Sequence, residues 1–281
     1  MKKILVTGAS SYIGTAFKNY MQSKADEYQV DGISVRGSEW KNTSFAEYDA
    51  IYHVAGLAHI KETKENSKLY FDINRDVAVE VARKAKSDGV GQFILMSTMS
   101  VYGIDTGLVN SATLPAPKNS YGKSKLQAEE LISALEDESF KVCILRPPMV
   151  YGQGCKGNFQ TVVKLVEKLP FFPKLDNKRS MIHVDNLSEF VRLAVDKELS
   201  GVYFPQNREY MNTSDMAMWL GKAKGKNLFM SRFIGVCVKM IKPFSRMARK
   251  AFGSLIYADT EQFGWSYCVR ENEESVMSSV K

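Results

Sequence analysis

Apolar positions fall along the chain in two rhythms. Residues 3–7 form a compact apolar run that ends at Gly8, after which Ile13, Ala16, Phe17, Tyr20 and Met21 recur at helical spacing, predicting a strand, a tight turn and a helix. Further apolar runs at residues 30–35, 50–54, 93–96 and 142–145 predict strands, and the stretches around 73–86 and 124–135 carry helical spacing between them. Strand and helix in alternation predict an α/β fold built on a doubly wound parallel sheet. The pattern changes past Arg146: Pro147 and Pro148 lead to three glycines between Gly152 and Gly157, then to a helix over 159–169 that stops at Pro170. Residues 1–150 are expected to form the sheet domain, and residues 151–281 a smaller lobe that sends segments back to it.

Composition narrows the class. With 44% hydrophobic and 25% charged residues among 281, the chain can bury a sizeable core, which excludes a disordered or fibrous protein. No apolar run approaches the ~18 residues of a membrane span, and the basic start at Lys2 and Lys3 leads into no signal-like segment, so a cytoplasmic protein is expected. Cys143, Cys155, Cys237 and Cys268 are widely spaced, and His53, His59 and His183 form no ligand motif, so neither a metal site nor a disulfide framework is expected. The net charge of +7 is local: residues 216–258 hold nine Lys or Arg and no acid, leaving the remainder slightly acidic. A nucleic-acid binder would spread its basicity more widely, so none is expected as a partner.

Two clusters carry chemistry. The turn Gly8-Ala9-Ser10-Ser11-Tyr12-Ile13-Gly14 lies between the first strand and first helix, where small residues let a pyrophosphate approach the free N–H groups of a helix N-terminus. Tyr121 and Lys125, four apart, share a helix face, and an ammonium beside a phenol lowers the phenol's pKa toward working pH, making Tyr121 a general acid or base. Ser97 and Thr98 supply hydroxyls at the end of the fourth strand, where open α/β sheets place their sites.

Together these residues resemble the extended short-chain dehydrogenase/reductase family, over almost the whole chain. The family's glycine-rich turn is matched by Thr7 to Gly14, its third-strand signature by His53-Val54-Ala55-Gly56, and its tyrosine–lysine motif by Tyr121 and Lys125. Counting back from Val101-Tyr102-Gly103 places the family's catalytic hydroxyl on Thr98, with Ser97 beside it. The resemblance further implies Gly8, Ser11, Tyr12, Ile13, Gly14, Ala55, Gly56, Leu57, Asn74 and Pro148, with Tyr121 and Lys125, as the cofactor side. A narrower likeness, to nucleotide-sugar 4-ketoreductases and 4-epimerases of bacterial capsule and O-antigen assembly, rests on four segments. These are Arg146-Pro147-Pro148-Met149-Val150-Tyr151-Gly152, Lys156-Gly157-Asn158-Phe159, Asn177-Lys178-Arg179-Ser180 with Asp185-Asn186-Leu187, and Phe252-Gly253-Ser254-Leu255 with Gly264-Trp265. It implies that Asn158 and Arg179, together with Thr98 and Tyr121, approach a UDP-sugar.

An acid at the end of the second strand would bind the adenosine ribose hydroxyls of NAD, whereas a nearby arginine accommodates the 2′-phosphate of NADP. The position falls at Ser34, followed by Val35 and Arg36, with Asp31 too early, which favours NADP(H) over NAD. The expected reaction is NADPH-dependent reduction of the C4 keto group of a UDP-linked 2-acetamido-2,6-dideoxy-hexos-4-ulose. A UDP-hexose or UDP-N-acetylhexosamine 4-epimerase with tightly bound NAD uses the same groups, and a non-catalytic dinucleotide sensor is the reading from another class. In the basic segment, Arg232, Lys239, Lys242, Arg246 and Arg249 share a helix face opposite Phe233, Cys237, Ile241, Phe244, Ala248 and Ala251, split at Pro243. Two readings stand: helices covering the lobe with their charges in solvent, or residues 229–252 docking on an anionic membrane at its inner face. A homodimer also remains open.

Overall fold

The computed structural model describes residues 1–58, 60, 62–258 and 265–280, so His59 and Gly264 lie outside it. β1 (Lys2–Thr7) turns at Gly8 into α1 (Tyr12–Met21), followed by β2 (Tyr28–Ile33) and β3 (Ala50–His53). α2 (Ser67–Phe71) runs through a π-helical turn, Asp72–Val77, into α3 (Ala78–Ser87), and then come β4 (Gln92–Met96), β5 (Gly107–Val109), α4 (Ser120–Ser133), β6 (Lys141–Leu145) and β7 (Met149–Tyr151). Next are α5 (Asn158–Lys168), β8 (Phe171–Pro173), β9 (Met181–His183), α6 (Val184–Asp196), β10 (Gly201–Tyr203) and α7 (Thr213–Ala223). β11 (Phe229–Ser231), α8 (Arg232–Ile241), α9 (Arg246–Phe252), β12 (Leu255–Tyr257) and α10 (Asn272–Ser278) complete the described elements. Two compact units result, one of residues 1–103, 115–147 and 187–205, the other of 104–114, 148–186 and 206 onward.

The first unit is a six-stranded, wholly parallel sheet in the order β10-β6-β4-β3-β1-β2. Leu5, Ile51, Phe93 and Val142 stand in register across it and join Val81, Ala82, Ala85, Ala128 and Ile132 in one buried cluster. On the other face Phe17 of α1 meets Tyr52 edge-on, with ring centroids 5.0 Å apart, and Tyr20 donates to Glu189 of α6 at 2.9 Å. Strands covered on both faces must be apolar throughout, which is why these segments read as unbroken apolar runs. The strand order reverses between β1 and β3, so the chain segments leaving their C-terminal ends diverge and open a crevice there.

Two elements differ from the sequence pattern. β2 starts at Tyr28 and stops at Ile33, whose carbonyl accepts from the Gly8 N–H at 3.1 Å; Val35, counted as strand, instead turns into the core. The helix placed at 73–86 begins at Ser67, and its wider π-helical turn carries the fully buried Asn74.

The second unit holds three parallel strand pairs, β7 with β9, β8 with β11, and β5 with β12. Asn207 organises it: its side chain accepts from the His183 N–H (3.0 Å) and Asn186 (2.9 Å) and donates to Tyr151 (3.0 Å) and Asn272 (2.8 Å). A buried amide satisfied on every side fixes one arrangement of these segments. Residues 104–114 belong here through β5, and the break in the chain falls after Pro147. The local pattern assigns that segment to the sheet domain, because pairing with a strand about 150 residues later leaves no periodic trace.

Candidate active site

At the crevice, Gly8 has φ +75°, and a Cβ on it would lie 2.7 Å from the Ala55 Cα; on Gly14 one would lie 2.6 Å from the Gly8 carbonyl oxygen. The turn after β1 and the chain leaving β3 therefore touch backbone to backbone, as only glycine allows. Ser11 caps α1, its hydroxyl accepting from the Gly14 N–H at 3.1 Å, so Tyr12 and Ile13 form the first helical positions facing this turn. Helix N-terminus and small residues together suit an anionic pyrophosphate. Asn74 holds the opposite wall: its Oδ1 accepts from the Leu57 N–H at 2.6 Å, and its Nδ2 donates to the Leu57 carbonyl (3.1 Å) and Ser124 hydroxyl (3.3 Å). With its amide bonded to Leu57 and Ser124 and no surface exposed, Asn74 fixes the chain at Leu57 that leaves β3.

α4 begins at the cap Asn119, which accepts from the Gly122 N–H at 2.8 Å and sets Tyr121 and Lys125 one turn apart on its inner side. Lys125 is 4% exposed, and its ammonium donates to the Met96 carbonyl at 2.7 Å. A Cβ on Gly56 would stand 3.3 Å from that nitrogen and 3.0 Å from the Asn74 Oδ1, so Gly56, Asn74 and Lys125 converge. Burial pushes Lys125 down to about 8, against the opposing pull of Glu129. Tyr121 packs edge-on against Tyr70 at 6.2 Å; burial raises its phenol, and a hydrogen bond from Thr98 draws it back down. Thr98 is thus a hydrogen-bond partner of the phenol. Nearby His53 is kept neutral, lowered to about 3 by burial and then by Lys125, with Nδ1 2.8 Å from the Thr7 hydroxyl.

Ser97 is engaged with a different partner from Thr98. Its buried hydroxyl donates to Glu129, which is paired with Arg146 through contacts of 2.5–3.2 Å, and Arg146 donates on to the Tyr102 hydroxyl at 2.8 Å. Consecutive residues leaving a strand point opposite ways, so Thr98 faces Tyr121 while Ser97 faces this buried ion pair. Glu129 went unnoticed in the sequence although it lies one turn beyond Lys125 on the same helical face.

Ser34 is exposed just beyond the end of β2, and Arg36 is exposed two residues on, its N–H bonded to the Ser34 hydroxyl at 3.3 Å. Asp31 lies inside β2 opposite Leu5, and its carboxylate is taken by Gln29 (2.8 Å) and Tyr48 (3.2 Å). The strand end therefore presents a hydroxyl and a guanidinium, and no carboxylate.

In the second unit a cavity of about 370 Å³ is lined by Met149, Asn158, Val162, Arg179, Thr213 and Phe252 among others. Asn158 opens α5, and Arg179 is clamped by paired 2.9 Å backbone bonds to Met211, its guanidinium donating to the Gly253 carbonyl at 2.9 Å. Burial disfavours its charge, and no carboxylate among the described residues pairs with it. A half-buried arginine that no carboxylate among the described residues pairs with, beside an apolar wall, suits an anionic ligand with a less polar body. Pro148 is buried at the start of this unit, apart in the chain from the residues around Lys125.

The chain is similar to several known proteins. The chain is 30% identical over 251 residues to the UDP-glucose 4-epimerase of Vibrio cholerae, covering 80% of this chain and 76% of the relative. It is 26% identical over 232 residues to the N-acetyl-alpha-D-glucosaminyl-diphospho-ditrans,octacis-undecaprenol 4-epimerase of Escherichia coli O157:H7, covering 76% and 69%. The fold matches UDP-glucuronic acid 4-epimerase from Bacillus cereus in complex with NAD, with a TM-score of 0.72 at 20% identity over 99% and 96% of the two chains. It also matches dTDP-4-dehydrorhamnose reductase from Bacillus anthracis in complex with NADP, with a TM-score of 0.64 at 20% identity over 82% and 84%. The sheet is thus of the Rossmann type, and because residues 4–204 match the NAD dependent epimerase/dehydratase family, the chain belongs to that family of extended short-chain dehydrogenase/reductase enzymes.

Proposed function

We propose that this protein reduces the C4 keto group of a UDP-linked 2-acetamido-2,6-dideoxy-hexos-4-ulose, using NADPH, to supply a precursor of a surface polysaccharide. The observation that carries the reading is the pairing of Thr98 and Tyr121 beside a buried Lys125 at the end of β4. Tyr121, kept protonated by burial, donates its proton to the sugar O4 as that oxygen gains charge, and Thr98 hydrogen-bonds both phenol and sugar oxygen. When bound, a reduced nicotinamide supplies the hydride that C4 accepts. Gly8, Ser11, Tyr12, Ile13 and Gly14 would hold its pyrophosphate; Ala55, Gly56 and Leu57 would line the cradle; Lys125 would hold the nicotinamide ribose. Pro148 is kept as a cofactor contact, and Asn158 and Arg179 as contacts of the UDP-sugar. Ser34 and Arg36 support NADPH, since an acid would repel the 2′-phosphate and an unpaired arginine would bind it.

The 30% identity to a UDP-glucose 4-epimerase supports a second reading, a 4-epimerase that retains NAD. One experiment separates them. Under the reductase reading, the purified protein oxidises added NADPH only when a UDP-4-keto-hexosamine is present, and Tyr121→Phe abolishes this while still binding NADPH. Interconversion of UDP-hexoses without added cofactor, by protein that purifies with NAD, would overturn the reductase in favour of the epimerase.

A further inference from the structure

α8 and the turn that follows it hold an amphipathic surface whose apolar side is left bare. Phe233 is 78% exposed, Met240 69% and Phe244 90%, and Phe229, Val236 and Ile241 are exposed beside them. The side that packs is a narrow one: Gly235 is the one fully buried residue of α8, and a Cβ there would lie 2.2 Å from the Lys174 carbonyl oxygen. The helix thus comes closest to β8 and its continuation at a glycine, with Ile234, Cys237 and Val238 half-buried beside it. Of the apolar side read from the sequence, Phe233, Ile241 and Phe244 are exposed, while Cys237, Ala248 and Ala251 are half-buried. α8 stops at Ile241, Pro243 follows, and Ser245 caps α9 by accepting from the Ala248 N–H at 3.2 Å, which leaves Phe244 at the tip of the turn. The side chain of Arg246 lies outside what the structure describes.

Charge supplies the second observation. Residues 216–258 contain no acid, and no carboxylate among the described residues pairs with Arg232, Lys239 or Lys242, whereas Lys222, Lys224 and Lys250 are paired with Glu273, Glu167 and Asp105. The unpaired cations are those flanking the bare apolar row. A second copy of the chain meeting this surface about a two-fold axis would set like charges against each other. An anionic bilayer accepts both parts, the cations at the headgroups and the aromatic and aliphatic side chains at the acyl boundary. Among the described residues no helix is long and apolar enough to cross a membrane, so the contact is in the plane of the interface.

We infer that residues 229–244 form a docking surface for an anionic membrane, with Phe233, Met240 and Phe244 entering the interface and Arg232, Lys239 and Lys242 binding lipid phosphate. Each such charge contributes about fivefold to partitioning, so a paired Lys239→Glu/Lys242→Glu variant loses at least about twentyfold. The test is co-sedimentation of the full chain with vesicles of phosphatidylglycerol and phosphatidylcholine or of phosphatidylcholine alone, at low and high salt. The expected result is binding to the anionic vesicles only, weakened by salt, by the charge-reversal pair and by Phe233→Ser/Phe244→Ser. Phe233, Lys239 and Phe244 are exposed and Lys242 is half-buried, and an unchanged circular dichroism melt verifies that each variant is folded. Failure of the wild type to sediment with anionic vesicles at low salt overturns the inference, as does equal binding to both vesicles that ignores the lysine reversals. A salt-insensitive dimer abolished by Phe233→Ser/Phe244→Ser, without vesicle binding, would also overturn it and make the face an interface between copies. None of these readouts uses a sugar substrate, so they stand apart from the reductase assay.

Discussion

Replacing Lys125 with methionine is expected to stabilise the folded chain at neutral pH while removing activity. Burial holds the ammonium's pKa at about 8, against 10.5 for a free lysine, which corresponds to about 3 kcal/mol against the charged form. Methionine removes that cost but leaves the Met96 carbonyl without its 2.7 Å donor, returning about 1–2 kcal/mol, so the variant should be more stable by about 1–2 kcal/mol at pH 7. The size of that advantage then changes with pH in one direction only. Above pH 8 the folded wild type has lost the Lys125 proton while the unfolded chain keeps it up to 10.5, so the unfolded state binds more protons and this group raises stability as pH climbs. From pH 7 to pH 9 the variant's advantage should shrink by roughly 1 kcal/mol, and the groups that titrate alike in both proteins cancel. Urea unfolding of both proteins at the two pH values measures the difference directly. A difference that stays constant with pH, or that grows in the variant's favour, would refute a buried lysine strained in this way.

Glu129→Gln should cost about 3–5 kcal/mol in the same unfolding assay, because it strands the buried Arg146 guanidinium, and should move the Lys125 titration further down by removing the charge that raises it. Ser97→Ala should cost about 1–2 kcal/mol of stability and leave kcat within a few-fold, whereas Thr98→Val should lower kcat by about tenfold or more; equal kcat losses would put Ser97 in the catalytic set beside Thr98. Arg36→Ala should weaken NADPH binding by about tenfold or more and leave NADH unchanged, read by fluorescence titration. A wild-type preference for NADH would remove the basis of that last expectation.

Features that obey one local rule are legible in the amino-acid sequence by itself. β1, β3, β4 and β6 are covered on both faces and so had to be apolar throughout, and the turn at Gly8 and the Tyr121–Lys125 spacing are set within a few neighbouring residues. What depends on direction or on distant neighbours is not legible there. Ser97 and Thr98 are equivalent hydroxyls in the sequence, and only the packing of β4 against α4 sends one to Glu129 and the other to Tyr121. Asn74 has the residue type of a cofactor contact, and its amide is bonded to Leu57 and Ser124, which tertiary packing alone brings to it. The membership of residues 104–114 rests on pairing with β12, and no local period encodes a partner so far along the chain. The basic helix is the clearest case. Its periodicity defines an apolar side and a charged side, but which side is covered depends on what approaches. The missing side chain of Gly235 lets the Lys174 carbonyl come in on the narrow face, leaving Phe233 and Phe244 in water.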